Sequence, residues 1–395
     1  MRNKQERQHY IMTMNILAFA KRWFRLIYMY LCHMTRPSGT RTVYFATGSG
    51  KYADNPRAIS ECLHEMAPDV NIVWLIKPQQ KRYLPSYVKT VPKGSLLALK
   101  AQARADIWVL SYYYRRSSGI YKAPDQFYIQ TWHGDRGLKK IGYAAKEGFD
   151  KDIDGPIMSE CDLFIAASDY GVMKARKGLR YEGEFMVEGM PRNDKLVNIS
   201  SYKDEAARIR ERIGVAPDVK ILLYAPTFRE GKKEMQCVID IAQTIKSLET
   251  DGSKWICLVR AHAVTKGMQK TEEDVPYSDV TDYPDMADLL LVTDILITDY
   301  SSCAGDFLLT GKPVVLAHFD RDDYQDKHRK LWVNVEEAGY LVAKNQQELN
   351  SLLSGINAYR HQEIDKKVLS YYGTKESGYS AEAVVGRIIA ELNKR

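Results

Sequence analysis

The sequence predicts an α/β protein: two doubly wound, Rossmann-like domains facing each other across a cleft, preceded by a basic amphipathic helix. Three observations predict it. Short apolar runs alternate with stretches of helical spacing along nearly the whole chain, the pattern of parallel sheets covered on both faces. The 395 residues are long for one hydrophobic core and comfortable for two. Several apolar runs in each half end directly in polar or basic residues, and such positions converge at one edge of a parallel sheet.

The amphipathic segment comes first. Residues 1–36 hold seven Lys or Arg against one acid, so most of the net charge of +7 sits here. The surplus is local, and no nucleic-acid partner is expected. From Ile16 the apolar residues recur at helical spacing, through Leu17, Ala20, Trp23, Phe24, Ile27, Tyr30, Leu31 and Met34, with Lys21, Arg22 and Arg25 on another face. No run of about 18 uncharged apolar residues exists, so no membrane span is expected. Charge also interrupts the apolar run where a secretory signal would need it whole. The alternative is a terminal helix packed on its own domain. The reading adopted is a helix lying in an anionic membrane interface, which would make the protein peripheral on the cytoplasmic face of the cell membrane.

After Pro37 the candidate strands of a first domain follow one another at 42–48, 71–78, 106–112, 127–134, 163–168 and 184–194, with helical spacing at 54–66 and 94–105. A polar stretch at 197–217, helical in composition, separates them from a second set at 220–230, 255–262, 294–302, 312–320 and 339–343. The last twenty residues read as one more helix, crossing back to the first domain. The expected organisation is therefore 1–36, 37–200, 201–375 and 376–395. The six cysteines are scattered, without a C-x-x-C pair, which fits a reducing compartment and neither a disulfide framework nor a zinc site.

The chemistry collects where strands end. Trp132, His133 and Gly134 follow one strand of the first half and Arg192 another. In the second half stand Pro226, Thr227 and Arg229, then Arg260 and His262, then Asp299, Ser301 and Ser302 with Asp306 four residues on. Arginines and serines at such an edge can neutralise and hydrogen-bond phosphate. They can equally form interdomain salt bridges and helix caps. A neutral histidine beside basic residues suits a general base, although a structural histidine is commoner. The glycine-rich "TGSGKY" at 47–52 fails the phosphate-loop spacing, because Phe45 stands where glycine is needed and Tyr52 replaces Ser or Thr. No G-x-G-x-x-G follows a strand, so a nicotinamide cofactor is not expected, and no metal is expected either.

Taken in order, "YADNPRAI" (52–59), "QTWHGDRGLKKIG" (130–142), "EGMPRNDKL" (188–196), "LLYAPTFRE", "RAH" and "DILITDYSSCAGDFLLTGKPVV" (294–315) make the chain resemble the CDP-glycerol glycerophosphotransferase family, the primases and polymerases of teichoic acid and related capsule synthesis. The resemblance covers most of residues 40–375. It implies a GT-B-like fold, no cofactor and no metal. It implies transfer of glycerol phosphate, or a related alditol phosphate, from a CDP-linked donor to a hydroxyl of a membrane-held glycan or polyol phosphate, releasing CMP. His133 would be the general base, and His262, the second catalytic residue, would contact the donor phosphates and stabilise the transition state. Arg192, Pro226, Thr227, Arg260, Ser301, Ser302 and Asp306 match donor-binding positions, and Trp132, Gly134, Arg136, Arg229 and Asp299 complete the expected substrate-binding set. The chain departs in two places: "DRGLK" after "WHG" has one residue more than the family's "TPLK" and adds Arg136, and Ala263 replaces a proline after His262. Two other readings stay open: a GT-B glycosyltransferase using a nucleotide sugar, and a membrane-bound scaffold that only binds nucleotide. Glycerol against ribitol, the acceptor and the oligomeric state are left undecided.

Overall fold

The computed structural model describes residues 2–114, 118–145, 155–227, 229, 234–235, 238–261, 266–268, 277–358 and 361–394, with side chains from Leu17 onward. The chain opens with α1 (Arg2–Met34). Met29 and Cys32 are buried against the first domain, while Leu17, Phe19, Trp23, Phe24, Ile27, Tyr30, Leu31 and Met34 are exposed. Its seat is polar at the far end: His33 bonds the Ala103 carbonyl at 3.0 Å, and Arg36 pairs with Asp125 at 2.7 Å.

The first domain comprises β1 (Thr42–Ala46), α2 (Asp54–Met66), β2 (Asn71–Ile76), β3 (Lys89–Pro92), α3 (Leu96–Arg104), β4 (Ile107–Leu110), β5 (Phe127–Gln130), β6 (Leu163–Ala166), α4 (Asp169–Leu179) and β7 (Glu184–Val187). Its seven strands are all parallel, in the order β3-β2-β1-β4-β5-β6-β7. Both faces are buried because successive residues of each strand serve opposite cores. Tyr44, Trp108 and Tyr128 enter one cluster; Phe45, Trp74, Val109 and Ile129 enter the other.

After the connecting α5 (Asp194–Val197) and α6 (Lys203–Arg212) comes the second domain. It holds β8 (Lys220–Ala225), β9 (Glu234–Met235), α7 (Ile241–Leu248), β10 (Trp255–Val259), β11 (Lys266–Met268), β12 (Tyr277–Asp279) and α8 (Met286–Val292). Then follow β13 (Ile295–Thr298), α9 (Cys303–Phe307), β14 (Val314–Ala317), α10 (Arg321–Lys327), α11 (Val335–Ala338), β15 (Leu341–Ala343), α12 (Gln346–Ser354) and α13 (His361–Tyr371). The sheet is parallel in the order β12-β10-β8-β13-β14-β15, with β9 and β11 as a separate two-stranded ladder. The last helix, α14 (Ser380–Asn393), packs on α2, and its Val384, Val385, Ile388 and Leu392 share a core with Phe45, Ile59 and Trp74.

The two doubly wound sheets are those the sequence predicts. Most expected strands run on past the real ones, because their ranges take in the polar residues of the loops that leave the sheet. The edge strands β3 and β12 carry no buried apolar run and were not anticipated. Each order reverses beside its first strand, and there the cleft opens.

Candidate active site

His133 lies in the loop after β5, and that loop has an uncommon shape. Trp132 adopts φ +51°, in the left-handed region, a conformation that costs a bulky residue about 1–3 kcal/mol. Its neighbours impose it. The buried Gln130 accepts the Trp132 N–H at 2.9 Å. Asn55 donates to the carbonyls of Thr131 at 3.1 Å and Trp132 at 3.3 Å. Arg192 donates to His133 O at 3.1 Å.

Downstream, Lys174 of α4 donates to the carbonyls of Gly134 at 2.8 Å, Asp135 at 3.3 Å and Gly137 at 2.9 Å. Burial draws the Lys174 pKa down to about 7, Asp135 opposing and Lys139 reinforcing. Three carbonyls nonetheless match the three N–H groups that only the ammonium has. Asp135 grips the same helix, accepting the Ala167 N–H at 3.0 Å and the hydroxyl of Ser168, the N-cap of α4. The approach is close enough that a Cβ on Gly171 would lie 1.8 Å from Asp135 Oδ1.

The imidazole itself is fixed by Ser111 O, 3.0 Å from Nδ1. A carbonyl only accepts, so Nδ1 carries the hydrogen and Nε2 presents a lone pair. The ring is exposed toward the cleft, yet protein crowds around it. That crowding lowers its pKa below the usual histidine value, Arg192 and Lys174 adding to the shift and Asp54 and the Ser111 carbonyl opposing it. The histidine is neutral at pH 7.

Two chambers open on either side of His133. The first, about 460 Å³, lies between residues 47–54 of the first domain and Arg260, Thr281 and Met286 of the second. The other, about 370 Å³, lies between the Trp132–Gly137 loop with Lys139 and Lys174 and the second domain's Thr227, Tyr324 and Arg329. His133, Ser301 and Ser302 line both. Trp132 and Gly134 line the second chamber, and a Cβ on Gly134 would touch Ser302 Oγ at 3.5 Å. The His133 loop of one domain thus meets the hydroxyls of the other.

Pro226, Arg229 and Asp299 line neither chamber. Asp299 accepts the Thr227 N–H at 2.8 Å and its hydroxyl, which sets that residue at the wall. Arg229 pairs with Asp299 at 2.9 Å and Asp320 at 2.8 Å, its guanidinium over the rings of Tyr300 and Tyr324. Arg260 lines the first chamber. Its Nη2 donates weakly to Pro284 O at 3.4 Å, and its Nη1 is buried with no hydrogen-bond partner among the described residues. His262 lies outside the described residues.

Arg192 and Asp306 line the first chamber as an ion pair. Arg192 reaches Asp54 at 2.6 Å and Asp306 at 2.8 Å. Arg136 is fully buried behind them and lines neither chamber; it pairs with Asp306 at 3.1 Å and Glu376 at 2.6 Å and donates to Gly305 O at 3.1 Å. Burial alone would raise the Asp306 carboxyl, but Arg192 and Arg136, with hydrogen bonds from Asn193 and Arg192, hold it below the usual range. For Arg192 and Arg229, then, the geometry is that of salt bridges.

Lys51, Lys174 and Tyr324 line the chambers and do not stand out in the sequence as site residues. Lys51 had a signal available: it follows the first strand of a doubly wound sheet, where ligands bind whatever the glycine spacing. Lys174 had none, since its targets are backbone carbonyls some forty residues away.

A family described as CDP-Glycerol:Poly(glycerophosphate) glycerophosphotransferase matches residues 28–390. The chain is similar to the teichoic acid glycerol-phosphate transferase of Staphylococcus aureus, 28% identical over 367 residues, 87% of this chain and 91% of that protein. It is similar to the teichoic acid poly(glycerol phosphate) polymerase of Bacillus spizizenii, 29% identical over 89% of this chain and 93% of that protein. Against the Bacillus subtilis polymerase the identity is again 29%, over 89% of this chain but 49% of the longer relative. A solved structure of the wall teichoic acid polymerase TagF superposes with a TM-score of 0.83 at 23% identity, over 100% of this chain and 99% of that one, which establishes the shared fold. With two parallel-sheet domains, a cleft at their strand ends and a family match that runs through both, the chain belongs to the CDP-glycerol:poly(glycerophosphate) glycerophosphotransferase family.

Proposed function

We propose that the two chambers hold the donor and acceptor of a glycerol-phosphate transfer that occurs at His133, the histidine common to both. The observation that carries this reading is a neutral imidazole whose Nε2 has no partner among the described residues, set in the wall between two cation-lined spaces. An acceptor hydroxyl brought to Nε2 gives up its proton there. Its oxygen attacks the phosphorus that bears glycerol in CDP-glycerol. The bond from that phosphorus to the bridging oxygen breaks, and CMP leaves with the electron pair. Catalysis of this kind is mostly positioning and charge neutralisation.

Ser301, Ser302 and Arg260, which line the first chamber, are the groups we assign to the donor phosphates, with His262 in the role its motif suggests. Helix α9 is only five residues long, so hydroxyls and guanidinium, rather than a helix dipole, supply the stabilisation. Glycerol is favoured over ribitol by the glycerol-phosphate relatives above. The acceptor in this reading is a membrane-held glycan or polyol phosphate in teichoic acid synthesis. The exposed row Trp23, Phe24, Ile27, Leu31 and Met34 on α1, with Lys21 exposed beside it, supports a seat on an anionic lipid surface.

Replacing His133 with alanine tests the assignment. CMP release should fall by about 10²–10⁴ while the melting temperature stays near that of the wild type. Turnover within a few-fold of wild type would remove His133 from the mechanism.

A further inference from the structure

We propose that Lys51, in the loop after β1, and Arg260, after β10, hold one phosphoryl group between them from opposite sides of the cleft. The site rests on the transfer reading above and adds a residue that reading does not contain. Lys51 is not a loose surface lysine. Its N–H donates to Thr47 Oγ1 at 3.1 Å and its carbonyl accepts from the same hydroxyl at 2.7 Å, a closed ring that fixes the turn. The loop is braced from outside as well, Gly50 O accepting the Lys77 N–H at 2.9 Å. Lys51 is half-buried in the wall of the first chamber, and its ammonium makes no hydrogen bond or ion pair among the described residues.

Across the chamber stands the Arg260 guanidinium, with Nη1 buried and unpartnered among the described residues. A buried donor without an acceptor is costly unless a ligand supplies one. The carboxylates lining the same space are already committed. Asp54 and Asp306 are paired with Arg192. Asp285 pairs with Arg57 at 3.4 Å and accepts the N–H groups of Asp54 and Ala287, each at 3.1 Å. Neither cation has an ion-pair partner among the described residues, and carboxylates reach them only through space, Asp282 and Asp285 acting on Lys51 and Asp285 on Arg260. The two cations are close enough to feel each other: burial lowers the Lys51 pKa, and Arg260 is the next largest cause. An anion between them would relieve both the repulsion and the missing hydrogen bond.

The chemistry that fits is a phosphate ester or diphosphate, and the reaction offers two sources: the diphosphate of the CDP-linked donor, or a phosphodiester of the acceptor chain. The test uses the full-length enzyme with Lys51→Met, and Lys51→Arg as the charge-keeping control, each with its melting temperature measured. Calorimetric titration with inorganic pyrophosphate needs no turnover. Lys51→Met should weaken that binding roughly ten- to a hundredfold, the loss of one charge-assisted contact, and Lys51→Arg should restore most of it. Steady-state CMP release then separates the sources. A raised KM for CDP-glycerol assigns the group to the donor; a raised KM for the acceptor alone assigns it to the acceptor. Pyrophosphate binding and both KM values within twofold of wild type would overturn the site. A wild-type enzyme that releases no CMP from CDP-glycerol defeats the transfer reading instead, and the pyrophosphate titration still decides the phosphate site.

Discussion

At the scale of single residues, His133 and Trp132 divide the work between chemistry and strain. Trp132 takes the left-handed backbone that aims the next residue into the cleft. His133 gains its tautomer from a carbonyl 22 residues upstream. Its pKa sits below the ordinary value of about 6.5, so the neutral, proton-accepting form persists as the pH falls through that value. The acidic limb of kcat/KM should therefore lie below pH about 6.5. A limb at or above that point, in a profile free of unfolding, would assign the titration to another group. That a histidine stood after a strand was legible in the sequence. Which nitrogen carries the proton was not, because Ser111 belongs to another strand end.

At the scale of elements, the site is a loop clamped by a helix. Lys174 and Ser168 of α4 take hold of the "GDRG" turn through its carbonyls and through Asp135. Lys174→Met should cost about 2–4 kcal/mol, since it strands three carbonyls that the ammonium served. It should also lower turnover at saturating substrate, because the loop it clamps carries His133. Thermal melts and initial rates check both; wild-type values in each would mean that Asn55 and Arg192 hold the loop unaided. The residue that distinguishes this turn, Arg136, is buried and serves the junction between domains. Gly305 makes room for it, since a Cβ there would lie 2.5 Å from that of Arg136.

At the scale of the whole molecule, the two sheets are tied together near the site. Asp54, Arg192, Asp306, Arg136 and Glu376 form a continuous chain of ion pairs through both domains and the segment before α14. Main-chain bonds add to it, with Lys140 N–H to Lys330 O at 3.0 Å and Trp332 N–H to Leu138 O at 2.8 Å. Breaking a buried pair by removing one partner is costly, which makes this junction a rigid back to the cleft. The other large-scale feature is α1. No helix among the described residues is long and apolar enough to cross a membrane. Replacing the exposed Trp23, Phe24, Ile27 and Leu31 with serine should abolish co-sedimentation with vesicles containing anionic lipid and leave CMP release from a soluble acceptor largely intact. Unchanged sedimentation would sink the membrane reading, and a change in oligomeric state would mark the apolar row as an interface between copies.

The sequence by itself determined the two doubly wound domains, the family, and the strand ends from which the cleft is built. Those are local matters: apolar periodicity declares a buried strand, and the residues that follow it must lie at the carboxyl edge of a parallel sheet. Only the tertiary structure decided how the polar groups are spent. Four arginines at or beside strand ends look alike in the sequence, yet Arg136, Arg192 and Arg229 are committed to carboxylates and Arg260 retains a buried nitrogen without a partner among the described residues. A charge is free or paired according to what the fold brings within about 4 Å of it, and those partners are scattered along the chain.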